Sequence, residues 1–441
     1  MLDKDFSISQ ELKATLISVI SPNLAYHEDL EQVNRSLLEL KDLLRTLKVP
    51  VGSQHIQTRK SLDPATIIGS GKLTEIAEIA KDEGSKILIF DCELTASQIR
   101  NIKDQTQLPI IDRCQVILEI FAQHARTKEA KIQIEISRLQ YLLPRLSGFW
   151  THLGRQKGGI GVRGGEGEQQ IELDRRIIRE RIQFYKEELK TIIKSRTQQG
   201  KKRKNKSITA ALVGYTNAGK SSIMNRLCKV NVLEENKLFA TLDSTYRMLN
   251  PDTKPPMVLI DTVGFISNLP ATLIEGFKTT LESAIEADLL VIVCDISDPH
   301  FKTQLEVTNK VLKDLSIIDK DKIIVFNKKD LLRDELKKKI ILRSYPNSFL
   351  ISSYDEKAMA NPRKFIINFF LEKQEKFDLF IPYENGEAHA VVSKNTNILK
   401  SFNHERGIFY RIRVPDFIFE RLGLNNFILS PKDELYQSIS L

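Results

Sequence analysis

The chain has 441 residues, of which 41% are hydrophobic and 28% are charged, a composition typical of a soluble globular protein with two to four domains. Its net charge of +9 favours a polyanionic partner. No apolar run is long enough to cross a bilayer and the acidic start lacks a leader-like apolar segment, so we expect a cytoplasmic protein without stable membrane insertion. The widely spaced cysteines form no C-x-x-C pair, which favours buried thiols over metal ligands or disulfides; they are Cys92, Cys114, Cys228 and Cys294.

The first part of the chain, residues 1–125, alternates between strand-like and helix-like segments. Strands are predicted at 14–20, 51–58, 65–68, 86–90 and 109–112, and helices at about 30–47, 73–81 and 95–104. This alternation predicts a small α/β domain with a mostly parallel sheet. Segment 68–72 looks like a phosphate loop, but its spacing is too short for G-x-x-x-x-G-K, so we interpret it as a tight turn.

The next part, residues 126–200, has apolar residues at helical spacing in two stripes. The first stripe consists of Ile132, Ile136, Leu139 and Leu143, and the second of Ile171, Ile178, Ile182, Tyr185, Leu189 and Ile192. Two such stripes joined by a loop predict an antiparallel helical pair that buries one stripe against the other.

The loop that joins these helices, residues 148–168, is dense in glycine and carries Arg155, Lys157 and Arg163 near Trp150. A flexible backbone with cations suits close approach to phosphates, which makes these three basic residues candidate RNA contacts. A solvated, disordered tip explains the composition equally well. The basic run at 200–206 predicts a solvated linker, and steering towards nucleic acid is a second interpretation of it.

The third part, residues 207–373, is organised around the segment 214–221, Gly-Tyr-Thr-Asn-Ala-Gly-Lys-Ser. A strand-like run precedes this segment and a helix start follows it, which is the context that a G-x-x-x-x-G-K-[ST] motif requires. The glycines let the loop wrap phosphates, which then face backbone N–H groups and a helix N-terminus. Lys220 is expected to reach the β- and γ-phosphates, and the hydroxyl of Ser221 to ligate Mg²⁺.

Three later motifs follow the phosphate loop on alternating strand-like and helix-like segments. A strand-like run ends in Asp-Thr-Val-Gly at 261–264, whose acid suits Mg²⁺ held through water and whose glycine N–H suits a γ-phosphate. Another run ends in Asn-Lys-Lys-Asp at 327–330, and its final carboxylate suits the two ring-edge N–H donors of guanine, a pair that adenine lacks. The segment Ser-Ser-Tyr at 352–354 resembles the loop that touches guanine O6.

These residues resemble the HflX family of translational GTPases over most of the chain. The segments that carry the resemblance are 67–72, 111–113, 142–146, 158–164, 239–243 and 261–265. The glycine loop between the helices is the most specific of them, because the nucleotide motifs alone indicate only a GTPase. The chain departs from the family's usual Gly-Pro-Gly-Glu near 164–168, from its Thr-Gln-Leu-Glu at 169–172 and from its alanine at Ser353.

The resemblance implies a GTP-hydrolysing enzyme that binds the large ribosomal subunit and its RNA and acts in splitting, rescue or recycling of ribosomes under stress. The GTP state then controls association. An alternative is a GTP-gated RNA-binding scaffold in which hydrolysis is only a slow timer. An ATP-driven RNA-remodelling or metabolic enzyme built on the first domain is disfavoured, because residues 1–125 contain no complete nucleotide site.

The predicted site residues fall into four groups. The catalytic group is Lys220, Thr241 and Gly264. The Mg²⁺ group is Ser221 and Thr241, with Asp261 acting through water. The GTP- and GDP-binding group is Gly214, Tyr215, Thr216, Asn217, Ala218, Gly219, Lys220, Ser221, Phe239, Ala240, Thr241, Leu242, Asp243, Asp261, Thr262, Val263, Gly264, Asn327, Lys328, Lys329, Asp330, Ser352, Ser353 and Tyr354. The RNA group is Arg155, Lys157 and Arg163.

The position after 261–264 is occupied by Phe265, which cannot hydrogen-bond the attacking water. We therefore expect slow intrinsic hydrolysis that ribosomes stimulate. Asn217 within the phosphate loop suggests K⁺ as a second cofactor, because an asparagine there ligates K⁺ in some related GTPases that lack a catalytic glutamine.

The predicted fold class is α/β. It comprises a P-loop GTPase domain (207–373) with a mostly parallel sheet and flanking helices, preceded by the small α/β domain (1–125) and the antiparallel helical pair (126–200). A small α+β domain (375–441), for which we find no motif for chemistry, follows it. We expect a monomer.

Overall fold

The computed structural model describes residues 12–24, 27–146, 165–204, 207–228, 238–239, 244–250, 254, 256–267, 284–315, 317 and 320–429. The strands are β1 (Ala14–Ile20), β2 (Val51–Thr58), β3 (Ile87–Phe90), β4 (Ile110–Asp112), β5 (Ile208–Gly214), β6 (Thr245–Asn250), β7 (Met257–Asp261), β8 (Leu289–Asp295), β9 (Lys322–Asn327), β10 (Ser348–Leu350), β11 (Glu375–Pro382), β12 (Asn397–His404) and β13 (Gly407–Val414). The helices are α1 (Leu30–Thr46), α2 (Ser70–Asp82), α3 (Ala96–Thr106), α4 (Arg113–His124), α5 (Lys128–Leu142), α6 (Gly165–Lys204), α7 (Lys220–Cys228), α8 (Phe301–Asp314), α9 (Glu335–Ser344), α10 (Ala360–Glu372), α11 (Gly386–Asn395) and α12 (Asp416–Phe419).

These elements form two compact units. The first holds the described residues up to Ile193 together with 238–239 and 263–267. The second holds the described residues from Lys194 onwards apart from those two segments. In the part of the chain that the structure describes, no helix is both long enough and apolar enough to span a membrane.

The first unit contains a parallel sheet with the strand order β2-β1-β3-β4. All four residues of β3 are apolar and buried. A strand without polar alternation is typical of a parallel sheet that is covered on both faces. Side chains from α2 and α3, including Ile76 and Ile102, pack in one apolar cluster with Ile17, Leu88 and Phe90 of the sheet. The predicted parallel α/β fold of this part is confirmed.

Two local predictions in this unit are wrong. Segment 65–68 is a turn and not a strand, because the carboxylate of Asp63 accepts hydrogen bonds from the N–H groups of Ala65 (2.8 Å) and Thr66 (3.1 Å) and so closes the chain on itself. Segment 68–72 is no tight turn but the start of α2. Gly69 is the extended residue before that helix, and its N–H donates to the side chain of Gln57 at 2.9 Å.

The predicted helical pair consists of α5 and α6, and its apolar stripes pack as predicted. Ile132, Ile136 and Leu139 of α5 share one cluster with Ile178 and Ile182 of α6. The helix α6 begins at Gly165 and continues to Lys204, so the last residues of the predicted glycine loop and the basic run up to Lys204 are helical. The abundance of Glu, Gln, Lys and Arg in α6 explains this extension, since these are strong helix formers.

The second unit contains a six-stranded sheet with the order β10-β9-β8-β5-β7-β6. Every neighbouring pair is parallel except β6 and β7. The central strands β5 and β8 are almost entirely buried, and their side chains pack with α7 and α10 in one core that includes Leu212, Val291, Ile223 and Ile366. This sheet confirms the predicted P-loop domain fold.

A separate three-stranded antiparallel sheet with the order β11-β13-β12 follows in the same unit. Leu379, Tyr410 and Ile412 of the sheet pack with Val392 of α11 and with Phe419 of α12. The predicted small α+β fold of the last segment is confirmed for the described residues, whereas the strand β12 was missed by sequence reasoning. The exact division of the chain into four domains stays a prediction.

Candidate nucleotide-binding site

The candidate site lies at the carboxyl edge of the six-stranded sheet, where parallel α/β sheets bind ligands. Four neighbouring strands end there at Gly214, Asp261, Asp295 and Asn327. Register places Leu212 opposite Asp261 and Asp295 opposite Asn327. The sheet order therefore brings together motifs that are far apart in the sequence.

The phosphate loop needs both of its glycines for reasons that the geometry shows. Gly214 has φ +147°, and a Cβ on it would lie 2.1 Å from the carbonyl oxygen of Val293. Gly219 has φ +91°, and a Cβ on it would lie 2.2 Å from Nδ2 of Asn327. Both are close backbone approaches that only glycine permits. Asn217 is exposed at the loop tip with φ 58°, the left-handed region that asparagine tolerates.

Lys220 is the first residue of α7, and its side chain lies inside the loop. Its ammonium group donates to the carbonyl oxygens of Gly214 (3.1 Å) and Tyr215 (2.8 Å). Burial lowers the pKa of Lys220 to about 8, and the nearby charge of Asp261 opposes this shift only in part. In the loop the buried ammonium group of Lys220 thus has neutral carbonyl oxygens as its hydrogen-bond acceptors. A phosphate anion would compensate its buried charge better than these acceptors do.

Two oxygen-bearing side chains meet beside this lysine. The Ser221 hydroxyl donates to Oδ2 of Asp261 at 2.6 Å. Thr262 next to this acid is anchored by a 2.7 Å hydrogen bond from its hydroxyl to the carbonyl oxygen of Leu212. Because a serine hydroxyl and a carboxylate are the oxygen ligands that Mg²⁺ prefers, this pair fits the predicted metal. The hydroxyl of Thr216 is buried in the loop without a hydrogen-bond partner among the described residues.

The side chain of Asn327 connects three loops of the site. Its Nδ2 donates to the carbonyl oxygen of Ala218 in the phosphate loop at 3.0 Å, and its Oδ1 accepts from the N–H of Ser353 at 3.0 Å. The residue is fully buried, so both hydrogen bonds are shielded from water. Asn327 therefore sets the spacing between the phosphate loop and the loop at 352–354.

The remaining base-site candidates are arranged around Asn327. Asp330 is exposed in the 3-10 turn Lys329–Leu331, which leaves its carboxylate open to a ligand. Lys328 has φ 62° and its ammonium group lies 2.7 Å from the carboxylate of Asp295. Ser352 and Ser353 are buried, whereas the Tyr354 side chain is exposed.

Sequence reasoning missed two residues that support this site. Asp295 positions Lys328 through the ion pair, and it was detectable because it ends a buried strand in the same way as Asp261. Arg226 of α7 donates from Nε to the carbonyl oxygen of Ser353 at 3.1 Å. No local pattern marked Arg226, because its partner lies 127 positions further along the chain.

Some candidates belong to the first unit. Phe239 is buried with φ 56°, and its ring packs edge-on against Phe121 with 4.5 Å between centroids. Val263 and Gly264 precede the buried Phe265, and the carbonyl oxygen of Ser267 accepts a hydrogen bond from Arg113 at 3.3 Å. Other candidates lie outside the described residues, namely Ala240, Thr241, Leu242, Asp243, Arg155, Lys157 and Arg163.

Four features of this site together define a P-loop GTPase. They are the glycine loop between β5 and α7, the buried lysine at the start of α7, the Ser–Asp oxygen pair and the hydrogen bond that connects the 327–330 loop to the phosphate loop. Three family models match the chain. They are GTP-binding GTPase N-terminal at 34–122, GTP-binding GTPase Middle Region at 124–203 and 50S ribosome-binding GTPase at 209–328.

Comparison with individual proteins leads to the family. The chain is 41% identical over 372 residues to GTPase HflX of Flavobacterium psychrophilum, covering 81% of this chain and 87% of the relative. It is 38% identical over 419 residues to GTPase HflX of Caldanaerobacter subterraneus, covering 95% of this chain and 94% of the relative. The chain belongs to the GTPase HflX family and is a GTP-hydrolysing enzyme.

One solved structure that is similar to this chain is a GTP-binding protein from the archaeon Sulfolobus solfataricus in complex with GDP. It is 24% identical to this chain, with a TM-score of 0.43, and the match covers 80% of this chain and 98% of that one.

Proposed function

We propose that this GTPase binds the large ribosomal subunit and its RNA and acts in splitting, rescue or recycling of ribosomes under stress, with the GTP state controlling association. The match of residues 209–328 to the 50S ribosome-binding GTPase family carries this proposal. The net charge of +9 supports an RNA-rich partner. The protein then acts in the cytoplasm as a monomer.

In this proposal the loop 214–221 binds the phosphates of GTP, and Lys220 turns from its carbonyl partners to the β- and γ-phosphates. Ser221 would ligate Mg²⁺ and Asp261, its hydrogen-bond partner, would hold the ion through water. Thr241 would join them in the GTP state. Mg²⁺, when bound, neutralises charge on the phosphate oxygens. The partly buried 2.6 Å contact between Ser221 and Asp261 supports these roles.

The guanine base is recognised by the 327–330 loop. Asp330 accepts from the two ring-edge N–H donors, and the loop 352–354 contacts O6. Two observations support this assignment. The carboxylate of Asp330 is exposed and can meet a base, and the start of the same loop is fixed by the hydrogen bonds of Asn327 with Ala218 and Ser353.

Hydrolysis by the isolated protein is expected to be slow. Phe265 follows Gly264, and its side chain is 1% exposed and has no hydrogen-bonding group, so it cannot orient the attacking water. The ribosome is then needed to order the segments that contain Thr241 and Gly264 or to supply a missing group. In this proposal Arg155, Lys157 and Arg163 contact ribosomal RNA, and their binding is linked to the stimulation of GTP hydrolysis by the ribosome.

The test is GTP hydrolysis with and without purified large ribosomal subunits, together with co-sedimentation in GDP and in a non-hydrolysable GTP analogue. We expect faster turnover on subunits and tighter co-sedimentation with the analogue. The control variant Asp330→Asn removes the guanine acceptor while changing only an exposed side chain, so it should lose both effects and stay folded.

Two other outcomes decide against parts of the proposal. Nucleotide-dependent co-sedimentation without any rise in turnover favours the GTP-gated scaffold with slow hydrolysis. Nucleotide binding with neither effect retains the GTPase and rejects the ribosome as its partner.

A further inference from the structure

The small antiparallel sheet has one face that its own core does not cover. Side chains on one side of β13, including Tyr410 and Ile412, pack in the core with α11 and α12. The register pairs Phe409 of β13 with Phe380 of β11 and with Phe402 of β12, so these three aromatic residues form one row on the opposite side. We call this side the open sheet face.

The aromatic row is partly accessible. The side chain of Phe402 is 47% exposed, and its ring centroid lies 6.0 Å from that of the buried Phe409. His404 follows two positions after Phe402 on the same side of β12 and packs edge-on against Phe380 with 5.7 Å between centroids. The row therefore combines the buried ring of Phe409 with the exposed ring of Phe402.

Cationic side chains occupy the next positions on the same face. Arg411 of β13 pairs with Asp378 of β11 and with Lys400 of β12, and Arg413 pairs with Lys376. The carboxylate of Asp378 holds the Arg411 guanidinium through two contacts of 2.7 and 2.9 Å. This part of the face therefore carries four cationic side chains, those of Lys376, Lys400, Arg411 and Arg413, and one carboxylate, that of Asp378. Positions two residues apart along a strand are about 6.8 Å apart, so this charge lies directly beside the aromatic row.

We propose that the open sheet face binds single-stranded RNA. Exposed aromatic rings on a sheet stack unpaired bases, and adjacent cations neutralise the phosphates of the same strand. The excess of positive charge favours this partner over an apolar protein segment, because phosphates complement the four cations and an apolar segment does not. The GTP site contributes no residue to this face, so the inference goes beyond the proposed function and stands apart from it.

The experiment measures binding of the full-length protein to a fluorescent single-stranded RNA of roughly ten nucleotides, without ribosomes, by anisotropy. We expect Phe402→Ala to weaken binding by about tenfold or more through lost stacking. Lys400→Glu should weaken binding and make it less dependent on salt concentration. Ile398→Ala is the matched control, because Ile398 is a similarly exposed apolar residue of β12 that pairs with the core-facing Ile412 and lies on the other side of the sheet.

Basal GTP hydrolysis should be unchanged in all three variants, which shows that they are folded. The proposal is overturned if the unaltered protein binds no single-stranded RNA, or if Phe402→Ala and Ile398→Ala have equal effects. Binding of isolated ribosomal proteins that depends on Phe402, without RNA binding, makes the face a protein interface and also overturns it. Because ribosomes are absent from the RNA assay, its result is independent of whether the large subunit stimulates GTP hydrolysis.

Discussion

The hydroxyl oxygen of Ser221 lies 2.6 Å from Oδ2 of Asp261, and this contact joins the start of α7 to the end of β7 across 40 positions of the sequence. The first residue belongs to the glycine loop and the second to the 261–264 motif. Their contact lies at the site that we propose for the nucleotide and Mg²⁺.

We predict that this pair controls Mg²⁺-dependent GTP binding. Asp261→Asn removes a charge that orients the metal site and should weaken Mg²⁺ affinity by roughly 10- to 100-fold in the presence of GTP. Ser221→Ala removes the proposed direct oxygen ligand and should have at least as large an effect. The measurement is a Mg²⁺ titration of fluorescent GTP binding, with Ser222→Ala as the neighbouring hydroxyl control. Unchanged Mg²⁺ midpoints in both variants would falsify the assignment.

We predict that Gly219→Ala strongly impairs nucleotide binding. The added Cβ meets Nδ2 of Asn327 at 2.2 Å in a backbone region with φ +91°, so the loop must shift at a cost of roughly 1–3 kcal/mol. GTP affinity should fall more than tenfold. Gly71→Ala in α2 is the matched control, since its Cβ meets nothing within 4 Å and alanine is the better helix former. That variant should keep GTP affinity and gain up to about 1 kcal/mol in unfolding free energy.

We predict that GTP affinity falls as the pH rises above about 8. Burial lowers the pKa of Lys220 from 10.5 to about 8, so the free protein loses this proton above that pH. Phosphate charge favours the protonated lysine, and binding then requires proton uptake, with up to about tenfold lower affinity per pH unit. Calorimetry at pH 8.5 in buffers of different ionisation enthalpy should detect this uptake. The residual binding of Lys220→Ala should lack it, and equal proton uptake in both proteins would contradict the prediction.

The same pKa shift has a consequence for stability with a defined sign. Between about pH 8 and 10.5 the unfolded chain keeps the Lys220 proton that the nucleotide-free folded protein has lost. The unfolded state therefore binds more protons, and the contribution of this residue to the unfolding free energy rises with pH in that window.

We predict that K⁺ accelerates GTP hydrolysis more than Na⁺ if Asn217 is a K⁺ ligand. The position is exposed and has φ 58°, so a conformational role is the competing explanation for asparagine. Asn217→Gly separates the two, because glycine keeps this backbone conformation and removes the amide oxygen. Hydrolysis in K⁺ should then drop to the Na⁺ rate while GTP affinity stays constant. Equal rates in the two salts for the unaltered protein dismiss the idea.

We predict that Arg113→Met destabilises the first unit by roughly 3–5 kcal/mol. Arg113 forms a buried ion pair with Asp91 at 2.9 Å and a partly buried one with Glu39, and it also donates to the carbonyl oxygen of Ser267. Burial opposes ionisation of Asp91, but the hydrogen bond from His27 and the charge of Arg113 outweigh it and hold the Asp91 pKa below its usual value. The substitution removes the guanidinium from the fully buried carboxylate of Asp91 and from the partly buried carboxylate of Glu39.

Urea unfolding measures this effect. The control is Lys72→Met, which breaks the more exposed ion pair between Lys72 and Glu75 and should cost less than about 1 kcal/mol. Similar losses in the two variants would show that the buried network contributes no more than a surface pair.

The nucleotide motifs were predictable because each is contiguous and local. Residues 214–221 follow a strand and open a helix, and this order alone indicates a phosphate loop. The parallel sheets and the helical pair also followed from hydrophobic periodicity, which reports the buried side of each element. Segment 65–68 was misassigned because β-branched residues suggest a strand, whereas the side chain of Asp63 captures the backbone N–H groups into a turn.

Local sequence therefore determined the class of chemistry in this protein, that of a P-loop GTPase. It also supplied the predictions that Asp330 selects guanine and that Phe265 cannot orient the attacking water. Only the tertiary structure decided which residues hold these parts together. The contact of Asn327 with Ala218 spans 109 positions, the Asp295–Lys328 ion pair joins neighbouring strands, and the row of Phe380, Phe409 and Phe402 exists only through strand order. Periodicity tells which face of an element is buried, but strand order and register arise from packing between distant segments, which no local pattern records.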